Sequence, residues 1–287
     1  MPRFDLAAIA SRQRNIRRRA IVIRDIAPPA TMATNLFHRV YLPIITAWER
    51  AAPAIIAEYE RTLSSMVTDA PADVQAAIDG PADAISRLLL LLTPEIRDWV
   101  LSVSSYIDRS WSGAILSAAG VDISILIGPE DARQTVDAYL EWNTSLIRDV
   151  SAQARQRISN FVFTGLNQRK PAREVAKDIR EAVSMGRDRS IRIASHQLSS
   201  LSSELARERR RQAGLDVFAW HHSQKRYPRQ EHVKRNGVLY TENADLVGKK
   251  LDGRVVKLAP PADDRAGVRP ACGCRERGIL VFGWDDD

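Results

Sequence analysis

Hydrophobic positions recur every three to four residues over the first two-thirds of the chain, the spacing that lines one face of an α-helix. Leu6, Ile9, Ile16, Ile23 and Ile26 follow this period, with Arg12, Arg14, Arg17, Arg18 and Arg19 between them. They predict a basic first helix that stops at Pro28-Pro29. A second helix is predicted over 34–67 on Leu36, Val40, Ile44, Trp48, Ile55, Tyr59 and Leu63, kinked or divided at Pro43 and Pro53. Residues 64–81, rich in Ala, Asp and Pro, read as a linker with room for one short helix. Helices over 82–92 and 94–117 follow, the latter with Trp99, Val103, Ile107 and Trp111 on its apolar face. Gly113 and Gly120 loosen the chain around 121–127, a short strand or a helix edge.

Pro129-Glu130-Asp131 carries helix-start chemistry, a proline in the first turn and acids beside the positive end of the helix dipole. It opens the longest expected helix, over 130–163, which Gly165 ends. Pro171 starts a short amphipathic helix over 172–183, and Ser184-Met185-Gly186 reads as a turn. A last helix carries Ile191, Ala194, Leu198, Leu201 and Leu205 and closes at Gly214. From there the period changes. Residues 217–220, 238–240, 255–258 and 279–282 are short β-type runs between glycine and proline turns. The fold class expected is α+β, an elongated, mainly α-helical N-terminal region followed by a small C-terminal α+β module with short antiparallel strands. Residues 1–128 make the helical region, 129–186 a helical connector and 187–287 the module.

Composition narrows the class. Hydrophobic residues at 45% and charged residues at 27% are ordinary for globular chains, so neither disorder nor a fibrous repeat accounts for the whole. No run approaches the roughly 20 apolar residues of a membrane-spanning helix. The N-terminus, Met-Pro-Arg-Phe-Asp, has no signal pattern, so the expected setting is a cytoplasm with no membrane partner. Two cysteines, Cys272 and Cys274, are too few for a disulfide-stapled fold. The net charge of +7 is compatible with a polyanionic partner. Arg17, Arg18 and Arg19, with Arg209, Arg210 and Arg211, are candidate contacts for DNA phosphates or an acidic protein surface, and equally solvated helix faces.

The chemistry-bearing residues gather late in the chain. His232, Cys272 and Cys274 are zinc-type ligands that His221 or His222 can complete to four. Their one-residue cysteine spacing is tighter than that of usual zinc pairs, and the alternative is a buried pair that packs the module. His221-His222, His232 and Asn236 suggest a ββα-metal nuclease, but no histidine follows His232 to complete such a site. The pair Cys272 and His232 offers a thiolate nucleophile or a purely structural contact. No nucleophile elbow and no phosphate-binding glycine loop occurs. The expectation is a non-enzymatic protein with no cofactor, zinc excepted.

The order of features in the second half resembles the phage Mu protein F-like head morphogenesis family of minor head proteins. Leu146, Ile147, Val150, Arg157 and Ile158 lead into Val162-Phe163-Thr164-Gly165-Leu166, then Val175-Ala176-Lys177-Asp178-Ile179 precedes Arg189-Ser190-Ile191-Arg192-Ile193-Ala194-Ser195-His196-Gln197. Phe218-Ala219-Trp220 looks like the family's first module strand. After it come Lys225-Arg226, His232, Asn236-Gly237 and Pro270-Ala271-Cys272-Gly273-Cys274-Arg275 before a closing strand. The resemblance implies a portal-associated capsid protein acting in head morphogenesis and DNA packaging or ejection. It also implies the portal protein as partner, with scaffold or major capsid protein and packaged DNA as further contacts. The implied place is the procapsid or virion interior at the portal vertex, after assembly in the host cytoplasm. The alternatives are a toxin or nuclease effector that borrows the module, and a basic DNA-binding protein.

Overall fold

The computed structural model describes residues 4–13, 17–65, 70–127 and 133–285. The chain is α+β, with long helices in its first two-thirds and a C-terminal module that holds most of a six-stranded sheet. Two compact units share the chain without following its order. One takes residues 30–99 and 138–195, the other 1–29, 100–137 and 196–287. The serial division at 128 and 186 gives way to this interleaving because three long helices each contribute to both units.

The helical unit begins with α2 (Thr31–Leu36) and α3 (Leu42–Ser65), joined by a five-residue π turn, Phe37–Tyr41. Pro43 explains that turn. It has no N–H for the carbonyl of Arg39, and a wider turn just before it absorbs the misfit. Pro53 lies within α3 without ending it. Of the segment expected as a linker, residues 70–81 are instead the start of α4 (Ala70–Ala119), the longest helix among the described residues, which runs through Pro81 and Pro94, and residues 66–69 lie outside the described residues. Val74, Ile78, Ile85, Leu89, Leu92 and Ile96 are buried along one stripe of α4. Burial at about 1.5–3 kcal/mol per such side chain outweighs the roughly 3 kcal/mol that an interior proline costs.

Helix α5 (Arg133–Gln168) carries on past Gly165, and α6 (Ala172–Gln212) passes through 184–186 without the expected turn. The proposed start at Pro129-Glu130-Asp131 lies outside the described residues. Gly165 is a close-approach glycine rather than a terminator. A Cβ there would stand 2.6 Å from Val175 Cγ2 and 3.0 Å from the hydroxyl of Tyr59. Tyr59 donates that hydroxyl to the carbonyl of Lys170 at 2.7 Å. The helix ends at Arg169, whose φ of 53° lets the N–H of Lys170 reach back to Gly165. Gly165→Ala is expected to destabilise the chain by about 1–3 kcal/mol through overpacking, read as a lower thermal midpoint; an unchanged midpoint would show that Val175 and Tyr59 give way freely.

In the second unit the sheet order is β1-β6-β2-β3-β5-β4. The strands are β1 (Ala20–Val22), β2 (Val217–His221), β3 (Leu239–Thr241), β4 (Lys250–Leu251), β5 (Arg254–Leu258) and β6 (Arg275–Val281). The basic first helix is thus corrected. Helix α1 covers Leu6–Gln13 only, and residues 20–22 form an edge strand antiparallel to β6. Ile21, Val22 and Ile23 are β-branched, and the N–H of Ile23 binds Gly278 O at 2.8 Å. Residues 14–16, with Arg14 and Ile16, lie outside the described residues. The expected all-antiparallel pairing also needs correction, since β3 and β5 pair parallel. Strand β4 lies between them in sequence, and its turn into β5 is Asp252-Gly253, both at positive φ. Residues 121–127 are neither strand nor helix; Gly120, with φ 73°, closes α4 before them.

Strand β2 is buried on both faces, which explains its unbroken apolar run. Val217 and Ala219 join Leu239, Leu251, Val256 and Ile279 on one face. Phe218 and Trp220 join Tyr240, Ala266, Cys272 and Cys274 on the other. Helix α6 serves the second face. Ser199 donates to the carbonyl of Cys272 at 2.8 Å and Ser200 to that of Gly267 at 3.0 Å. Among the described residues no helix is long and apolar enough to cross a membrane.

Candidate functional site

His232 stands on α7 (Gln230–Lys234), a single turn whose first bonds return to the carbonyl of Arg229. Its imidazole lies edge-on to Trp220, with ring centroids 5.1 Å apart. Nδ1 faces both cysteines, 3.6 Å from Cys272 Sγ and 3.8 Å from Cys274 Sγ. All three side chains are buried, and their ligand atoms lie within 4.8 Å of one another. The two cysteines reach the same face of the sheet because residues two apart in extended chain point the same way.

The loop that carries them is held tightly. Ala271 takes φ 59°, a conformation a residue with a Cβ seldom adopts. Lys225 Nζ caps the carbonyl of Ala271 at 2.8 Å, and Arg229 donates to that of Pro270 at 3.0 Å. The Cys274 thiol, as hydrogen-bond donor, holds Cys272 below the ordinary thiol range. The Cys272 sulfur it faces pushes Cys274 upward.

Behind His232 stands Asp264, which the sequence reading did not single out. His232 Nε2 is 3.2 Å from Asp264 Oδ1. Arg235 donates to Asp264 Oδ2 at 2.6 Å, and Arg269 Nε lies 2.7 Å from Oδ1. Burial works to raise the Asp264 carboxyl, but the donors from Arg235 and His232 and the nearby guanidinium charges outweigh it and hold it low. With the carboxylate accepting the Nε2 proton, the lone pair of Nδ1 is left toward the sulfurs.

Neither histidine proposed as a fourth ligand joins the group. His221 Nδ1 lies 3.1 Å from Asp25 Oδ1 and beside Arg277. His222 Nδ1 accepts the backbone N–H of Gln224 at 3.1 Å. Asn236 is engaged by the backbone N–H of His222 at 3.0 Å. Among the described residues, no further His, Cys, Asp or Glu completes the three.

The arginine candidates divide. Arg17, Arg18 and Arg19 are exposed, Arg19 pairing with Asp285 at 2.9 Å, and Arg211 is exposed beside Glu208. Arg209 and Arg210 are 1% and 4% exposed and so are corrected as surface contacts. Arg209 binds Asp108 at 2.7 Å and Gln212 at 2.9 Å. Arg210 lies over the ring of Phe218 and binds Glu276 Oε2 at 2.7 Å. Glu276 also takes Arg265 at 2.9 Å, with Arg207 Nε 3.8 Å away. Burial would raise the Glu276 carboxyl, yet Arg210, Arg265 and Arg207 together bring it down to about 2. A run of arginines looks the same whether it meets solvent or a distant glutamate, so the sequence offered no signal for this pairing.

Fold and site together define a class: long helices joined to a small mixed sheet with a buried His-Cys-Cys cluster. No family model and no solved structure matches the chain. The chain is similar to an uncharacterized protein of Haemophilus influenzae (strain ATCC 51907 / DSM 11121 / KW20 / Rd), 22% identical over 177 residues. The match covers 58% of this chain and 39% of that protein, so the chain spans well under half the length of the relative.

Proposed function

We propose that this chain is a minor head protein of a tailed phage or prophage, attached to the portal and acting in head morphogenesis and in DNA packaging or ejection. The observation that carries the reading is the serial order of features from Asn143 to the Cys272-Gly273-Cys274-Arg275 run that leads into β6. A second observation supports it. Trp220, His232, Cys272 and Cys274, far apart in sequence and all part of the resemblance, pack together on one face of the sheet. In this reading the module is a docking body, and the exposed Arg17, Arg18, Arg19 and Arg211 meet the portal or the packaged DNA.

Burial of Arg209 and Arg210 takes two of the six arginine candidates out of contact with either a portal surface or DNA. The two readings part on salt. A portal-bound protein co-purifies with portal oligomers at high salt, whereas phosphate contacts release counterions and weaken steeply as salt rises. Co-expression with the cognate portal protein, followed by a high-salt wash, is expected to retain the chain. Loss of the chain from portal, together with tight low-salt binding to naked DNA, would overturn the proposal in favour of the DNA-binding reading.

A further inference from the structure

We propose that His232 Nδ1, Cys272 Sγ and Cys274 Sγ together bind one zinc ion, which fastens the loop of residues 262–274 to α7 and to the start of β6. The inference stands apart from the phage reading and would survive its failure.

Geometry is the first support. With zinc bonds of about 2.1 Å to nitrogen and 2.3 Å to sulfur, a tetrahedral centre has an N···S edge of about 3.6 Å. The two observed edges are 3.6 and 3.8 Å. Both N···S edges therefore match such a centre to within a few tenths of an ångström, and all three ligand atoms lie within 4.8 Å of one another.

The second support is the orientation of the histidine. Metal-bound imidazoles almost always give their other N–H to a carboxylate or carbonyl, which fixes the tautomer and makes the ligating nitrogen more basic. Asp264 does this for His232, and Arg235 and Arg269 hold Asp264 in turn. A histidine that only filled space beside Trp220 would need no carboxylate braced by two guanidiniums.

Chemistry selects the ion. Two thiolates and an imidazole are a soft to borderline set that favours zinc over calcium or magnesium, whose ligands are oxygens. Three protein ligands leave the fourth position to a water molecule. Burial of all three side chains shields the centre from bulk solvent.

The test uses the full chain. Purified in the presence of zinc and then desalted, it is expected to hold about one zinc per chain, and a chelator should lower its thermal midpoint, because an ion that binds only the folded state stabilises it. Replacing zinc by cobalt should give the thiolate-to-cobalt charge-transfer band of a two-sulfur site. Asp264→Asn, which keeps all three ligands, is expected to weaken zinc binding by about 10- to 100-fold in competition with a chromophoric chelator. Two results would each overturn the proposal: a folded wild-type chain that takes up neither ion, or uptake that persists in the Cys272→Ala/Cys274→Ala double variant. Should that double variant not fold, a cobalt spectrum of the wild type without sulfur charge transfer overturns it equally.

Discussion

Glu276→Ala is expected to destabilise the chain by about 3–5 kcal/mol, because it takes from buried Arg210 its carboxylate partner and leaves Arg265 and Arg207 with only Glu242 and Glu204. Arg210 and Arg265 both bind this carboxylate directly, and Arg207 stands close by. The side chains of all three arginines are 10% exposed or less, so water cannot take the place of the lost carboxylate. The thermal midpoint should fall by on the order of 10 °C. The same contact predicts an acid limb. The Glu276 carboxyl lies at about 2 in the folded chain, against an ordinary glutamate value near 4.5. A group held low when folded adds stability that is full above its unfolded value and is lost as pH falls toward the folded one. Here that amounts to about 3 kcal/mol, lost between roughly pH 5 and pH 2. A wild-type midpoint that stays flat from pH 5 to pH 3, or an alanine variant as stable as the parent, would rule out this role for Glu276.

Removing residues 1–26 is expected to leave a sheet unit that does not fold stably. Leu6, Ala10 and Ile23 are fully buried, and Ile26 nearly so. Deleting three large aliphatic side chains uncovers the apolar surface they pack on and forfeits on the order of 5 kcal/mol, as much as the whole stability of many domains. Beyond packing, the deletion unpairs the edge of β6 and exposes it to other chains. It also frees Arg275 and Arg277 from Asp25, at 3.1 and 2.7 Å. Burial works to raise the Asp25 carboxyl, but Arg277, Arg275 and His221 hold it at about 2. The truncated chain should therefore accumulate as aggregate. A soluble product with a wild-type melting curve would show the N-terminal segment to be dispensable.

The helical half was legible because its apolar stripes recur at helical spacing, and β2, β3, β5 and β6 because their runs are short, rich in β-branched and aromatic residues, and set between turns. What escaped was decided by packing. The stripe of α4 continues through Pro81 and Pro94, and local breaker chemistry yields to a continuous buried face. Gly165 and Gly186 have the look of helix ends, yet one makes room for Val175 and Tyr59 and the other sits inside α6. Ile23 and Ile26 match the helical period of α1 by coincidence, and only the free edge of β6 makes a strand of residues 20–22. At the site, the soft ligands His232, Cys272 and Cys274 could be picked out by type alone. Asp264 could not, since aspartates are common in polar loops and its task depends on an imidazole 32 residues away. The serines of α6 were hidden likewise, because their acceptors are backbone carbonyls of the loop at 267 and 272.

Strand β6 lies between β1 and β2, so residues 20–22 and 279–281 meet inside one hydrogen-bonded ladder. Asp25 and Arg275, bonded to each other, stand 250 residues apart. On the ribosome, the helices can form as they emerge, but Ile23, Val217 and Phe218 must wait uncovered until β6 has been synthesised. Such distant pairing closes slowly. Synthesis speed over the codons that separate β1 from β6, and any holdase that shields those apolar segments meanwhile, should therefore govern how much native protein a cell recovers.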